Sequence, residues 1–378
     1  MKRVEFSFVY QDKNSSARLG RLKRGNYEIE TPAFFPVATQ ATVKSLSPQE
    51  LSECGVEGIL TNAYHLYLRP GVDIIRHLGG IHKFMHYFGL IITDSGGYQI
   101  FSLEGLRRSE DGGVSFTSHI DGSLHFLTPE KVIEIQEAID SDIWVHLDEC
   151  LKYPVLFSRA RSSLQRTIEW ARRSWNKFQR LKETKQMGQM LLGVIQGATY
   201  PDLRKQAVEE MLKIGFRHFS LGGLSVGEPF DLRYNIVSRT IAELPSSSLR
   251  YLMGVGKPAD ILEAVECGID LFDCILPTRL GRSGTAFTSK GRLIIRDARF
   301  RRDESPVDRN CSCFVCQNFS RAYLRHLINA QEILAARLLS YHNVFWYENF
   351  MSNIREAIKN DSFIKFKKEF LDEYHNQV

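Results

Sequence analysis

Eight short apolar runs recur along the chain, each followed by loop residues and then by a helical pattern. They are AFFPVA (33–38), EGILTN (57–62), LIITD (90–94), DIWVHLD (142–148), LLGVIQ (191–196), RHFSLG (217–222), RYLMGV (250–255) and DLFDCIL (270–276). Several are apolar almost without interruption, as parallel strands covered on both faces must be. The intervening helices are equally legible. Thr128 stands as an N-cap with Pro129 at the first helical position, and Val132, Ile135 and Ile139 share one face. Leu164, Ile168, Ala171, Trp175 and Phe178 mark a longer helix whose other face carries Arg166, Arg172, Arg173, Lys177 and Arg180, read as a solvated face. Eight β-then-α units place the chain in the α/β class as a (β/α)8 TIM barrel. The alternative, an open doubly wound sheet, lacks a Gly-rich dinucleotide fingerprint after its first strand.

Two regions stand outside the repeat. Residues 1–30 read as an added hairpin. Residues 283–345 hold a hairpin-like piece, GTAFTSKGRLIIRD, then Cys311, Cys313 and Cys316, and they read as a subdomain inserted after the eighth strand. The barrel unit is then 1–282, and 346–378 closes it with a helix from Asn353 to about Glu373. At 378 residues, 43% hydrophobic and 25% charged, the chain can bury a large core. The net charge of +5 permits a nucleic-acid partner. No run of 18 apolar residues predicts a membrane span, and the N-terminus has no apolar signal core, so the expected location is the cytoplasm. In a reducing compartment the Cys311-x-Cys313-x2-Cys316 cluster, with His342 following, points to metal: three thiolates and one imidazole make a closed, structural Zn2+ site.

Barrel chemistry collects at the C-terminal strand ends. Here these ends carry Asp94, Asp148 and Glu149, Gln196, Gly222 and Gly223, Met253, and Asp273, which interrupts the apolar eighth run. A buried carboxylate needs a partner or a task. A carboxylate can accept two adjacent N–H groups of a guanine edge, and Gln196 can serve another edge. A Gly222-Gly223 turn can present a backbone N–H, while Tyr98 and Met253 can sandwich a ring. Asp94 and Asp273 remain as paired carboxylates, the tools of glycosyl transfer at a sugar C1′.

The motifs TNAYHLYLRPG, DSGGYQIFSL, DEC, VIQG, GGLSVGEP, MGVGKP, FDCILPTR and CSCFVC…H together resemble the bacterial tRNA-guanine transglycosylases, the queuine tRNA-ribosyltransferase family, over nearly the whole chain. The resemblance implies a zinc-bearing (β/α)8 barrel, homodimeric, that exchanges the wobble guanine of GUN-anticodon tRNAs for 7-aminomethyl-7-deazaguanine. It implies Asp273 as nucleophile and Asp94 as proton acceptor. It implies a base pocket of Asp94, Ser95, Gly96, Gly97, Tyr98, Asp148, Cys150, Gln196, Gly223, Val226 and Met253. Anticodon-loop contacts fall on Gly254, Val255, Gly256, Lys257, Pro258, Ala259 and Asp260, and on Thr278, Arg279, Leu280, Gly281 and Arg282. The zinc ligands are Cys311, Cys313, Cys316 and His342. Val226 adds bulk where a glycine would admit queuine. Direct use of queuine and a non-catalytic tRNA-binding subunit are the alternatives; the presence of both Asp94 and Asp273 speaks against the second.

Overall fold

The computed structural model describes residues 3–102 and 107–375. All eight apolar runs are strands: Ala33–Pro36, Gly58–Asn62, Leu90–Asp94, Ile143–Val145, Met190–Ile195, Phe219–Leu221, Arg250–Leu252 and Leu271–Cys274. They pair in parallel in that order around one sheet. The eighth returns to the first through Leu271↔Ala33 to Cys274↔Pro36, and a Val37↔Leu60 bridge closes the ring. The unbroken apolar runs follow from this closure. Leu60, Leu90 and Ile92 point into the barrel, whereas Ile59 and Ile91 pack outward against helices.

The helices form the outer layer. Thr128 accepts from Lys131 N and Pro129 opens the helix Pro129–Ile139, which buries Val132, Ile135 and Ile139. The long helix Phe157–Lys185 buries Leu164, Ile168, Ala171 and Phe178. Part of its basic face pairs with that neighbouring helix, Arg173 with Glu130 and Lys177 with Glu134, each at 2.7 Å.

The N-terminal segment is a three-stranded antiparallel sheet, Val4–Gln11, Arg18–Arg24 and Tyr27–Thr31, rather than a hairpin. Val4, Leu22 and Ile29 join the barrel's inner core and plug its N-terminal end. Two buried ion pairs fasten it there. Arg18 donates Nε to Asp270 at 2.8 Å, and Arg24 donates Nη1 to Asp142 at 2.8 Å. Each aspartate immediately precedes a barrel strand, the eighth and the fourth.

After the third strand the repeat is interrupted by a second small antiparallel sheet, Arg107–Glu110, Gly113–Thr117 and Leu124–Leu127. Beyond the eighth strand come the helix Leu276–Arg282, a hairpin, Thr285–Thr288 with Gly291–Ile294, and then the helices Phe314–Asn318, Arg321–Asn329 and the 27-residue Ile333–Lys359, which carries His342. The single terminal helix expected from Asn353 is the end of this helix plus a separate one, Phe363–His375. Between them Asp361 adopts φ 55°, and its side chain accepts from Lys13 N and Lys13 Nζ in the turn between the first two N-terminal strands.

Candidate active site and metal centre

At the C-terminal end of the barrel lies a cavity of ≈ 380 Å³, lined by residues from the ends of nearly every strand. Asp94, Asp148, Gln196 and Asp273 all face it and all are buried.

Asp94 ends the third strand. Its carboxylate accepts from Asn62 Nδ2 at 2.7 Å, Gly96 N at 3.1 Å and Ala63 N at 3.3 Å. Burial nevertheless pushes its pKa up to about 7, and the negative charge of Asp273 contributes to the rise. Asp273 sits within the eighth strand. The Tyr251 hydroxyl donates to its Oδ1 at 2.5 Å and Gly254 N donates to the same oxygen at 2.7 Å. Among the described residues no donor reaches Oδ2. Burial raises the Asp273 pKa and these two donors oppose the rise. One oxygen is thus held while the other has no donor among the described residues, and the neighbouring Asp94 carboxyl has its pKa raised to about 7.

A second pair forms the opposite part of the cavity. Gln196 Nε2 donates to Asp148 Oδ2 at 2.6 Å, and Ser95 Oγ lies 3.5 Å from Oδ1. Burial pushes the Asp148 pKa up to about 6. The two glycines expected to offer a backbone N–H have a further reason for lacking side chains. A Cβ on Gly223 would lie 2.3 Å from Gln196 Oε1, and one on Gly222 would lie 2.6 Å from its Nε2. Gly223 also takes φ 65°, which glycine adopts without strain. Ser95, Gly97, Tyr98, Cys150, Val226 and Met253 line the same cavity, with Tyr98 59% exposed at its mouth. Gly96 takes part through its backbone N–H to Asp94.

The three cysteines and His342 also converge. Their ligand atoms all lie within 4.8 Å of one another. His342 Nδ1 is 3.7, 3.4 and 3.4 Å from the Sγ atoms of Cys311, Cys313 and Cys316. A tetrahedral ion bound at roughly 2.3 Å to sulfur and roughly 2.0 Å to nitrogen sets an S···N edge of about 3.6 Å. His342 Nε2 donates to Phe287 O at 2.7 Å, which leaves the Nδ1 lone pair facing the sulfurs. The cluster therefore fits a tetrahedral metal ion, with all four positions filled by protein.

A family profile described as queuine tRNA-ribosyltransferase matches residues 12–376. Proteins named queuine tRNA-ribosyltransferase are 50% identical over 374 residues in Thermoanaerobacter pseudethanolicus, covering 99% of this chain and 98% of that one. In Caldanaerobacter subterraneus subsp. tengcongensis the identity is 51% over 375 residues, covering 99% of each. The chain belongs to the queuine tRNA-ribosyltransferase family. Membership makes it a transferase.

Not every expected contact residue of the queuine tRNA-ribosyltransferase pattern faces outward. Gly254, Lys257, Arg279 and Arg282 are exposed. Val255 and Pro258 are buried, and Asp260 is tied to Arg233 Nη1 at 2.7 Å and to the Tyr234 hydroxyl at 2.8 Å. Ala259, Thr278 and Leu280 are partly or fully covered. A Cβ on Gly256 would lie 2.3 Å from Cys274 Cβ, and one on Gly281 would lie 2.7 Å from Ser340 N. These two glycines permit close packing around the eighth strand. Glu149, grouped with the rim by its position, turns away from the cavity and pairs with Arg159 at 2.5 Å and Arg166 at 2.6 Å.

Three site residues of this family member escaped the sequence reading. Tyr251 and Asn62 hold the carboxylates of Asp273 and Asp94, yet each reads as an ordinary strand residue. Glu228 lies in the quoted GGLSVGEP motif and accepts from Ser225 N at 2.5 Å and Val226 N at 2.9 Å, so it shapes the loop that presents Val226. Arg233 holds Glu228 in turn at 2.5 Å and keeps its pKa low despite burial. A glutamate set between Gly227 and Pro229 was the available signal.

Proposed function

We propose that this chain replaces the wobble guanine of GUN-anticodon tRNAs with 7-aminomethyl-7-deazaguanine by double displacement. The observation that carries the reading is the pair of buried carboxyls, Asp94 and Asp273, sharing one cavity with the Asp148–Gln196 pair. Asp273 Oδ2 attacks ribose C1′ as guanine leaves with the C1′–N9 bonding electrons. The Tyr251 hydroxyl and Gly254 N–H orient the carboxylate through Oδ1. The departing base takes up at N9 the proton carried by the Asp94 carboxyl, which leaves Asp94 ionised for the second step, and the ribose is held as a glycosyl ester on Asp273. The incoming deazaguanine loses its N9 proton to Asp94, whose pKa near 7 suits proton transfer at neutral pH. Its N9 then attacks C1′ and frees Asp273. Two displacements retain configuration, as in retaining glycosidases, whose two carboxyl groups lie about 5 Å apart. Asp148 accepts the base's N1–H and exocyclic amine while Gln196 fixes its orientation. The target nucleotide must leave its stack to reach the cavity.

Val226, half-buried at the cavity, supports the small aminomethyl base over queuine. The Cys311, Cys313, Cys316 and His342 cluster would hold a structural Zn2+ and tie the 283–345 segment to the barrel. No helix among the described residues is long and apolar enough to cross a membrane; we place the enzyme in the cytoplasm with its tRNA, as a homodimer. The test is to incubate the protein with tRNA and labelled guanine, then offer each deazaguanine as competitor. Incorporation of guanine, displaced best by the aminomethyl base, is expected. No incorporation refutes the exchange reaction; preference for queuine refutes the base assignment.

A further inference from the structure

Asp94 has to carry a proton in one step and lack it in the next, yet its surroundings suit only one of the two forms. Its Oδ1 accepts from Gly96 N at 3.1 Å and Ala63 N at 3.3 Å, and its Oδ2 accepts from Asn62 Nδ2 at 2.7 Å. A fourth donor, Gln99 Nε2, reaches Oδ2 at 3.3 Å. All four groups bonded to Asp94 are donors. They serve a carboxylate, which only accepts. A carboxylic acid has an O–H to give, and donors offer it nothing.

Three of the four cannot change. Gly96 and Ala63 present backbone N–H groups. Asn62 is the N-cap of the helix Ala63–Leu68, and its Oδ1 already accepts from His65 N at 3.0 Å. Turning that amide would break the cap. Gln99 differs. The helix Gly97–Ser102 sets it on the cavity wall just past Asp94, and its Oε1 is buried with no hydrogen-bond partner among the described residues. An unpaired buried acceptor is costly, and its presence beside a reacting group points to a task. The two ends of a primary amide have nearly the same shape. A half-turn of the Gln99 amide therefore breaks only the long 3.3 Å contact and sets Oε1 against Asp94 Oδ2, where it accepts the acid's O–H.

We infer that Gln99 is a positioning residue for the Asp94 proton: its amide donates through Nε2 to the carboxylate and, turned over, accepts through Oε1 from the carboxylic acid. Asp94 can then enter the first displacement protonated and the second ionised. The inference rests on the reading of Asp94 as the proton carrier. Other ionisable groups on the cavity are engaged elsewhere. Asp273 accepts from Tyr251 and Gly254, and Asp148 accepts from Gln196. Burial pushes the Cys274 thiol up to about 12. His65 lines the same cavity, and burial with the nearby His119 lowers its pKa to about 4. Its Nδ1 is also buried and unpartnered among the described residues, where His65 makes no hydrogen bond to Asp94.

The sign of the effect separates this role from that of a fixed donor. An O–H···O bond runs near about 2.7 Å, so the acid is held more firmly than the carboxylate is by the present long contact. Gln99 then favours the protonated form, and its removal lowers the Asp94 pKa. Removal of a fixed donor such as Asn62 raises it.

The test is Gln99→Met in the full chain, which keeps the length of the side chain and abolishes both bonds. The rate profile has two limbs that report Asp94. kcat/KM for tRNA requires the protonated form and falls above the pKa, while kcat/KM for the incoming base requires the ionised form and falls below it. Both lie near pH 7 in wild type. In Gln99→Met both should move to lower pH by about 0.5–1 unit, the effect of one net hydrogen bond, so that kcat/KM for tRNA at pH 8 drops about 3- to 10-fold. Asn62→Ser, measured beside it, should move both limbs to higher pH. Melting temperature and metal content establish that each variant is folded, and Gln99→Leu replaces Gln99→Met if the latter is not. Limbs that stay in place, or that move to higher pH as in Asn62→Ser, overturn the inference alone. Limbs unmoved in Gln99→Met but shifted in His65→Phe assign the proton to His65 and also overturn it. A wild type that exchanges guanine with no limb near pH 7 overturns the reading of Asp94 as well.

Discussion

Replacing Asp148 with asparagine tests the base pocket with little change of shape. In the native cavity Asp148 is an acceptor on both oxygens: Gln196 donates to Oδ2 at 2.6 Å and Ser95 Oγ lies at 3.5 Å from Oδ1. The amide introduces a donor that must face either Gln196 Nε2 or the two N–H groups of the base. One or two buried polar groups are then left unpaired, at about 1–3 kcal/mol each. The total of about 1–6 kcal/mol corresponds to roughly 5- to 10⁴-fold weaker base binding. The fold should not suffer. The Asp148 pKa is about 6 in the folded protein, above the 3.8 of a free side chain. Its ionisation therefore costs stability as pH rises from about 4 through 6, and asparagine removes that cost. The assay is calorimetric titration with guanine between pH 5 and 8, beside thermal melting. Wild-type affinity should fall as pH drops through about 6, and Asp148→Asn should be weak at every pH with a melting point no lower at pH 8. Affinity within threefold of wild type, with the same pH dependence, would refute the pocket assignment.

Other predictions follow from the same geometry. Asn62→Ser keeps a cap for the helix Ala63–Leu68 but withdraws the donor at 2.7 Å from Asp94; the Asp94 pKa rises further, so the acid limb of exchange, near pH 7 in wild type, moves to higher pH in a rate profile. Gly281→Ala drives a Cβ to 2.7 Å from the Ser340 backbone, two residues from His342; overpacking of about 1–3 kcal/mol should lower the melting point and loosen the metal, read by thermal scanning and metal analysis. Chelation should remove one metal ion per chain and expose the 283–345 segment to protease, since metal-binding energy is folding energy in such a cluster; a metal-free preparation equally resistant and active would contradict the site.

The sequence disclosed the barrel because parallel strands covered on both faces leave unbroken apolar runs, and it disclosed Asp273 because a carboxylate interrupts one of them. The metal cluster was legible from spacing. What stayed hidden was encoded in contacts between distant segments. The sheet at residues 107–127 is short and half polar, and its strands stand because they pair with one another and pack Val114, Phe116 and Leu127 into the core. The third N-terminal strand pairs along Arg18–Arg24, which is itself seated by Arg18 and Arg24 reaching Asp270 and Asp142. Glu149 adjoins Asp148 in sequence, yet the strand end turns it outward to two arginines of the next helix. Gly281 lies in a stretch that resembles an RNA-contacting loop, while its place against Ser340 shows only once the helix Ile333–Lys359 is packed. Tyr251 as the partner of Asp273 required knowing that the seventh and eighth strands are neighbours and in which register.

The central claim is attack by Asp273 on ribose C1′. It is tested most directly by mixing the protein with tRNA in the absence of incoming base, quenching in denaturant, and resolving the products on a denaturing gel. Wild type should show a protein–tRNA band that disappears when a deazaguanine is supplied before the quench. Asp273→Asn should bind tRNA but yield no such band and no exchange. A band undiminished in Asp273→Asn would mean that another residue attacks, and the assignment of roles to Asp273 and Asp94 would fall.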